Sequence, residues 1–564
     1  MVARTAKVRA PLRLYLTETW KRLNRRIMLG WMSPLRFSGT SPDRLMLAPV
    51  DLRTSDAFIA REMASGRFPL ADKVLETEGA SPFEMSLPHD EFFDELHGFR
   101  WLRHLRAGDE DEIRYLAQNL VGSWMTNHAK RLKGPAWELD IVSKRLISWL
   151  SHSPVILADA DHEFYKRFMA SIALHVRFLR RSAPSHRNPT WRLQARIAVA
   201  MASLCLPSSS ALLKSASTAL DEELEQQIFA DGGHISRNPQ TVLNILADLL
   251  PLRQTYINLG SALPLLMLPT IDRMFIALRF FRHSSGEIAL FNGATHASAN
   301  FLMQILQNDE TGVQTPVNLP QSGFSRLEGG KSIVLMDNGY SPKGTVSRKA
   351  HAGCLSFEFS NGANRLIVNS GAPRFQVKRF GEFARLTAAH SALVIDNTSS
   401  SRVSESNFLG SIFVHGPKEI LLEDLSNEEH MGIRAAHDGY AKAFGLVHQR
   451  QIRLDRDGRS LSGLDILTAS DSNKSKKSPT AIDIDIRFHI HPSVQLEQLS
   501  DGSVVLNTHD GDRWIFNATI KPRIEQDIFF ADVLGTRRSE QICVSFKSNE
   551  HHRIAWILKA VEAV

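Results

Sequence analysis

The stretch FADGGHISRNP, residues 229–239, gathers side chains that could move a proton beside an anionic group. His234 carries an imidazole that titrates near neutral pH, so it could accept or donate a proton. Arg237 carries a planar guanidinium that pairs with a carboxylate or sulfate through two parallel hydrogen bonds. The two residues together predict acid–base chemistry on an acidic ligand.

The same stretch also has a structural interpretation. The glycine pair at 232–233 permits a tight backbone turn. Asn238 can cap the next helix, with Pro239 at its first position. A helix-entry turn explains these residues but gives His234 and Arg237 no role, so both interpretations stay open.

From about residue 90 to 310, apolar residues recur at i, i+3, i+4 and i+7, for example in EIRYLAQNLVGSWMTNHAKRL. Short polar or proline-containing breaks separate these segments. The pattern predicts antiparallel helical hairpins that each bury one face.

The periodicity changes to two near residue 320, in segments such as CLSFEFSNGANRLIVNSG and HQRQIRLDRDGRSLSGLDILTAS. The turns NGANR, RDGRS and HDGDR are hairpin signals. This half of the chain is therefore predicted to form a large antiparallel β-sandwich.

A chain of 564 residues is too long for one hydrophobic core, so two or more domains are expected. We predict an N-terminal extension with helical segments over 1–89, a helical domain over 90–310, a linker over 311–323 and the sandwich over 324–564.

Composition narrows the class of protein. The chain is 43% hydrophobic and 23% charged, which is typical of a globular protein. Cys205, Cys354 and Cys543 lie far apart, which argues against a disulfide framework or a cysteine zinc site. The net charge of +7 suits an anionic ligand, but such a surplus is also common in proteins that bind nothing acidic. We predict no nucleic-acid partner.

The N-terminus is basic and gives no export signal. Lys21, Arg22, Arg25 and Arg26 interrupt the apolar run that a signal peptide would need. No segment approaches about 20 apolar residues, so no membrane span is expected. The default expectation is the cytoplasm.

Four strings carry a family resemblance: FADGGHISRNP, RFFRHSSGEIALFNG, AHAGCLSFEFSNGANRLIVNSGAP and RLTAAHSALVIDN. From about residue 90 to its end, the chain closely resembles the heparinase II/III family of polysaccharide lyases. The resemblance implies an incomplete (α/α) toroid, an antiparallel β-sandwich and a substrate cleft between them. It also implies β-elimination on polysaccharides that contain uronic acid.

Such a reaction needs three kinds of group. A base removes the C5 proton of the uronate, and donors neutralise the neighbouring carboxylate so that the enolate-like intermediate is tolerable. An acid then protonates the leaving glycosidic oxygen. In the family, an Asn or His clamps the carboxylate and a Tyr or His is base and acid.

Part of the family carries a metal in the β-domain, held by His, Asp and His. The resemblance places these ligands at His351, Asn369 and His390 and implies zinc or another divalent ion, with no organic cofactor. His351 is also carried over as a catalytic histidine. Asn369 replaces the family's Asp, and its neutral carbonyl would hold a cation less tightly.

The helical half departs further from the family. Its Asn-His pair falls on Thr190 and Trp191, and its catalytic Tyr falls near Thr241. With those groups missing, His234 becomes the predicted acid–base residue, Arg237 its partner for the uronate carboxylate, and Tyr256 a second candidate. The predicted substrate-binding residues are Arg192, Asn238, Arg253, Arg279 and Arg282.

Two functions follow. The first is a lyase that cleaves an acidic polysaccharide in an interdomain cleft, favoured by His234, His351 and His390. The alternative is a non-catalytic protein for acidic-glycan binding or cell-envelope assembly, favoured by the missing Asn and Tyr. The resemblance would also allow a periplasmic location. Oligomeric state, the uronate and its linkage are not predicted.

Overall fold

The computed structural model describes residues 10–28, 36–108, 111–129, 132–375, 378–470 and 481–561. The chain divides into two compact units. The helical unit comprises Leu16–Gln227 and Asn244–Ile271, and the sandwich unit comprises Met1–Tyr15, Ile228–Leu243 and Asp272–Val564. The turn around His234 therefore belongs to the same compact unit as the large sheets.

Helices occupy most of the chain before residue 310. In chain order the described helices are α1 Leu12–Met28, α2 Ala57–Ala64, α3 Asp90–Gly98, α4 Leu102–Leu105, α5 Asp111–His128, α6 Leu139–Ser151, α7 Ser153–Ile156, α8 His162–Ser182, α9 Pro189–Cys205, α10 Ser210–Gln227, α11 Pro239–Asn258, α12 Met267–Phe280, α13 Ala299–Leu306, α14 Lys378–Ala384 and α15 Ala441–Phe444. No described helix is long and apolar enough to cross a membrane.

The helical unit is built from amphipathic helices that pack on their neighbours. Helix α9 contacts α6, α8 and α10, and α6 also contacts α3 and α8. The core holds Trp124, Trp137 and Trp149, all buried as expected of helix anchors. Arg145 lies among them, 3.9 Å from the Trp124 ring centroid. The predicted incomplete (α/α) toroid is confirmed.

The N-terminal extension contains a β-hairpin as well as helices. Strands β1 Arg67–Leu70 and β2 Lys73–Glu76 pair antiparallel. Ala71 and Asp72 join them with φ angles of 47° and 63°. Two successive left-handed residues give the turn a twist that matches the right-handed twist of the two strands. Neither residue is a glycine, so the sequence contains no strong signal for this turn.

Strands dominate after residue 317. They are β3 Asn318–Leu319, β4 Phe324–Gly329, β5 Ser332–Asp337, β6 Phe357–Asn361, β7 Asn364–Val368, β8 Leu393–Ile395, β9 Arg402–Val403, β10 Phe413–His415, β11 Ile420–Asp424, β12 His430–His437, β13 Leu446–Asp455, β14 Ser460–Ala469, β15 Asp483–Ile490, β16 Gln495–Gln498, β17 Val504–Asn507, β18 Arg513–Ala518, β19 Arg523–Asp532, β20 Gly535–Lys547 and β21 Arg553–Ala560.

Two antiparallel sheets form the predicted β-sandwich, which is confirmed. One sheet has the order β11-β12-β13-β14-β21-β18-β17-β16, and the other has the order β19-β20-β15-β7-β6-β5-β4-β3. The core between them includes Phe357, Phe359, Phe488, Phe516 and Trp556. Alternation puts every second residue of these strands into that core, so the intervening residues face away from it.

Candidate functional site

The Asp-Gly turn before α11 is tightly anchored in the sandwich unit. Gly232 has a φ of +83°, and a Cβ on it would lie 1.8 Å from the carbonyl oxygen of Arg273. The Asp231 carboxylate accepts hydrogen bonds from the backbone N–H and the hydroxyl of Ser322, each at 2.7 Å. The glycine is therefore required both by backbone conformation and by close packing.

Asn238 caps α11, as its spacing before Pro239 predicts. Its Oδ1 accepts hydrogen bonds from the N–H groups of Gln240 at 2.8 Å and Thr241 at 3.3 Å. These bonds satisfy donors that have no partner within the helix. The structural interpretation of Asn238 is thus confirmed, and its predicted role in substrate binding stays a prediction.

His234 lies inside the protein, with 1% of its surface exposed. Its Nδ1 accepts the backbone N–H of Ser236 at 3.0 Å and lies 2.8 Å from the Ser236 hydroxyl. Because Nδ1 accepts, the proton of the neutral ring is assigned to Nε2. Burial lowers the pKa of His234 to about 3, so the imidazole is uncharged at neutral pH.

Arg237 is held by acceptors of the sandwich unit. Its Nη2 donates to the Asp337 carboxylate at 2.5 Å. The same guanidinium donates to three backbone carbonyl oxygens, those of Ser322 at 2.5 Å, Gly323 at 2.8 Å and Tyr340 at 3.0 Å. These bonds engage all three nitrogens of the group, which fixes the Asp-Gly turn to the residues around β4 and β5.

His351 and His390 lie together, as the family resemblance implies. The Nδ1 of His351 is 3.1 Å from the Nε2 of His390. His390 donates its Nδ1–H to the carbonyl oxygen of Leu386 at 2.8 Å, so its Nε2 is the acceptor of the pair. Burial lowers the pKa of His390 to about 4 and that of His351 well below its usual value.

Asn369 does not complete a metal site with this pair. Its Oδ1 accepts the N–H of Ser391 at 3.2 Å, and its Nδ2 has no hydrogen-bond partner among the described residues. An amide donor thus stands where the family's carboxylate would bind a cation, and the lone pair of His390 is engaged by His351. Within the described ranges, no group of three or more His, Cys, Asp or Glu could hold a metal ion. These side chains do not fit zinc.

The sequence interpretation missed a buried carboxylate, Glu358. Its Oε2 lies 2.9 Å from the His283 Nε2 and accepts a hydrogen bond from Arg365 at 3.0 Å. Its Oε1 accepts the N–H groups of Leu290 at 3.2 Å and Asn369 at 3.0 Å. Burial by itself would raise the pKa of Glu358, but Arg365 and His283 lower it, to about 2.

A signal for Glu358 was present in the string SFEFS. Phe357 and Phe359 face the sandwich core, so the alternation of the strand points Glu358 to the other side. Glu358 receives the backbone N–H of Asn369, whose Oδ1 in turn receives the N–H of Ser391. Through Asn369, the carboxylate is therefore connected to the backbone of Ser391, the residue that follows His390.

In the helical unit, Tyr256 is buried and its hydroxyl lies 2.8 Å from the Ser217 hydroxyl. Burial raises the pKa of Tyr256, which opposes its use as a base. Trp191 stacks on His186 with ring centroids 5.3 Å apart. The assignment of Tyr256 to catalysis stays a prediction.

Five arginines were predicted to contact substrate, and three of them pair with a carboxylate of their own unit. The pairs are Arg192 with Glu223 at 2.8 Å, Arg237 with Asp337 at 2.5 Å, and Arg279 with Asp309. Arg253 and Arg282 are partly exposed, and their Nε atoms have no hydrogen-bond partner in the described part of the chain.

Comparison with known proteins agrees with this architecture. Residues 311–557 match the family described as heparinase II/III-like, C-terminal. FtsZ-localized protein C of Caulobacter vibrioides is 26% identical over 540 residues, covering 94% of this chain and 92% of that protein.

Solved structures share the fold. A structure of heparinase III superposes with a TM-score of 0.72 at 15% identity, over 99% of this chain and 93% of that chain. The heparan sulfate lyase HepC of Pedobacter heparinus gives a TM-score of 0.57 at 12% identity, over 98% and 88%. The C-terminal region therefore belongs to the heparinase II/III-like family, and the chain as a whole shares the fold of the heparinase III structure.

Proposed function

We propose that this protein is a non-catalytic member of the heparinase II/III family, which keeps the lyase fold and works as a binding or assembly protein. The observation that carries the proposal is the state of its candidate proton-transfer groups. His234, Tyr256 and His351 are each buried and hydrogen-bonded inside their own unit.

A general base must come within hydrogen-bond reach of the proton that it removes. In β-elimination that proton sits on a sugar ring, which must itself fit beside the base. His234 has its Nδ1 engaged by Ser236 and only 1% of its surface exposed. Contact with a polysaccharide would require this turn to open, and Gly232 and Asp231 hold it closed.

The reaction also needs a donor that neutralises the uronate carboxylate. Arg237 was the predicted donor, but Asp337 already supplies its carboxylate partner. Moving Arg237 to a substrate would leave Asp337 buried without its cation, which is strongly unfavourable. Arg237 therefore supports the fold in this proposal.

An assembly role is supported by one relative. The name FtsZ-localized protein C describes where that protein is found, and the similarity extends over 94% of this chain. By analogy, we propose that this chain also acts at the site of cell division rather than in polysaccharide breakdown. This part of the proposal is supported by sequence similarity and not by the geometry of the candidate site.

The lyase reaction remains the second candidate. It is favoured by Arg253 and Arg282, whose side chains are partly exposed. Cations of this kind could contact a polyanion.

A direct assay separates the two candidates. The purified protein is incubated at high concentration with a panel of uronate polysaccharides, and the unsaturated uronate product is followed by its ultraviolet absorbance. Heparinase III is the positive control. We expect no product above the background without protein, and sustained product formation on any polysaccharide would refute the non-catalytic proposal.

The assembly role needs its own measurement. The fluorescently tagged protein is imaged in its native cells together with labelled FtsZ, before and after FtsZ depletion. We expect the two signals to coincide at the division site and the protein to disperse when FtsZ is depleted. If the protein does not colocalise with FtsZ and its distribution does not change on FtsZ depletion, the division-site role is rejected. The proposed absence of catalysis does not depend on this result.

A further inference from the structure

Helix α1 turns an apolar stripe toward solvent. Five of its large apolar side chains between positions 12 and 27 are 47 to 73% exposed; they are Leu12, Leu16, Trp20, Leu23 and Ile27. The spacing of i, i+4, i+8, i+11 and i+15 places them within an arc of about 80° on a helix with 3.6 residues per turn. The stripe runs along nearly the whole length of the helix.

On its opposite face, α1 forms ion pairs with other residues of the helical unit. Glu18 is buried and forms ion pairs with Arg22 at 2.9 Å and Arg187 at 2.6 Å. Arg25 pairs with Glu138 at 2.6 Å. This arrangement inverts the usual surface helix, whose apolar side faces the protein core. In α1 the charged side contacts the protein and the apolar stripe faces solvent.

The net positive charge of the protein lies in the N-terminal segment of the sequence that contains this helix. Residues 1–28 contain eight Lys or Arg and one Glu. The whole chain has 67 Lys or Arg and 60 Asp or Glu, so the remaining residues hold 59 of each. The entire net charge of +7 thus comes from the first 28 residues, and the rest of the chain is neutral on this count.

We propose that α1 binds the surface of a membrane that contains anionic lipids. The stripe would lie at the boundary between headgroups and acyl chains, with the helix parallel to the surface. The Lys and Arg side chains around it would contact the anionic headgroups. Trp20 suits this boundary because an indole has an apolar ring and a polar N–H. This inference goes beyond the proposed function and does not depend on whether the protein is catalytic.

Charge complementarity selects the membrane over a second copy of the chain. Two copies meeting at α1 would bring together two segments that each carry the full surplus of +7, and like charges oppose association. An anionic lipid surface satisfies the apolar stripe and the cations at the same time. A partner protein would need an apolar, acidic groove whose shape matches α1. An anionic bilayer binds such a helix without a matching groove.

The test is flotation of the full-length protein with lipid vesicles at low and high salt. One set contains phosphatidylglycerol and phosphatidylethanolamine, and the other contains phosphatidylcholine alone. We expect binding to the anionic set, weakened by salt because exposed charges are screened. Reversing the exposed charge in Arg26→Glu should weaken binding at least about fivefold, since each cation near the surface contributes about that factor.

The stripe is tested by the double variant Leu16→Glu/Leu23→Glu. Its matched control is Leu265→Glu/Leu421→Glu, which places the same charges on two leucines that are 83% and 72% exposed elsewhere. The stripe variant should lose at least about tenfold in vesicle affinity, because two apolar side chains can no longer leave water. The control should bind like the unmodified protein, and circular dichroism should show all four proteins folded: the unmodified chain, both double variants and Arg26→Glu.

Depth is measured separately by quenching of tryptophan fluorescence with brominated lipids. Trp20→Phe should remove most of the quenching while leaving vesicle binding in place. The proposal is overturned if the unmodified protein does not float with anionic vesicles at low salt, or if the stripe variant floats equally well. It is also overturned if the protein does not bind vesicles and, in analytical ultracentrifugation, the unmodified protein sediments as a dimer while the stripe variant sediments as a monomer.

Discussion

Arg237 and Asp337 are 100 residues apart in the chain, and their guanidinium and carboxylate are joined by a hydrogen bond of 2.5 Å. Both side chains are buried, and Asn292 donates a second hydrogen bond to the carboxylate at 3.2 Å. The pair links the Asp-Gly turn to the end of β5 within the sandwich unit. An arginine in this position is a structural clamp.

Arg237→Ala is therefore expected to lower the free energy of unfolding by about 3–5 kcal/mol, because it leaves a buried carboxylate unpaired. Arg237→Ala/Asp337→Asn should recover part of that loss, since the remaining amide carries no charge. Urea denaturation of the three proteins measures both effects. An Arg237→Ala protein with unchanged stability would show that Arg237 is free to bind a ligand.

Glu358 should make the sandwich unit sensitive to acid. Its pKa is about 2 in the folded protein and near the usual 4.5 in the unfolded chain. Stability from the ionised carboxylate is thus fully present above about pH 4.5 and is lost as pH falls toward 2. The difference corresponds to about 3 kcal/mol at neutral pH.

The measurement is the urea midpoint of unfolding between pH 7 and pH 3, for the unmodified protein and for Glu358→Gln. The glutamine variant should be less stable at neutral pH and should lose less stability on acidification. Parallel pH profiles for the two proteins would show that other carboxylates, such as buried Asp465, account for the acid sensitivity.

Asn369 should decide whether the histidine pair binds zinc. In the unmodified protein we expect neither zinc nor a chelator to shift the thermal midpoint, because the pair lacks a carboxylate ligand. Asn369→Asp restores the family's residue and should produce a zinc-dependent rise in the midpoint. The double variant Asn369→Asp/His390→Ala should show no zinc-dependent rise in the thermal midpoint. Zinc bound in equal amount by the unmodified protein and Asn369→Asp would contradict the structural argument.

The sequence predicts well where neighbours along the chain carry the information. The cap formed by Asn238, the hairpin turn at NGANR and the alternation of Phe357 and Phe359 all follow from local spacing. The two-domain fold followed from the change of period near residue 320 and from the family strings.

Partners distant in sequence could not be predicted in this way. The role of Arg237 depends on Asp337, and the burial of Glu358 depends on His283, 75 residues away. Nothing near either residue identifies its partner, so an arginine clamp and a substrate-binding arginine look alike in the sequence. The outward stripe of α1 was hidden for a related reason: periodicity shows that a helix has an apolar side, and only its contacts show which side packs.

Gly232 offers the sharpest test of the turn itself. An alanine there meets two penalties, a φ of +83° and a Cβ placed 1.8 Å from the backbone oxygen of Arg273. Gly79 is the matched control, since its φ is +87° and no atom lies within 4 Å of the position that a Cβ would take. Gly79→Ala should lower the free energy of unfolding by about 1–2 kcal/mol, the penalty of a left-handed conformation alone.

The loss in free energy of unfolding should be greater for Gly232→Ala than for Gly79→Ala by at least about 1 kcal/mol. This is the lower end of the usual loss when a side chain is added to a fully packed site. The clash is with backbone, so no side chain can move aside to relieve it. Urea unfolding of both variants gives the comparison. Equal losses would mean that the Asp-Gly turn is not packed against Arg273, and His234 would then be held less firmly than its contacts indicate.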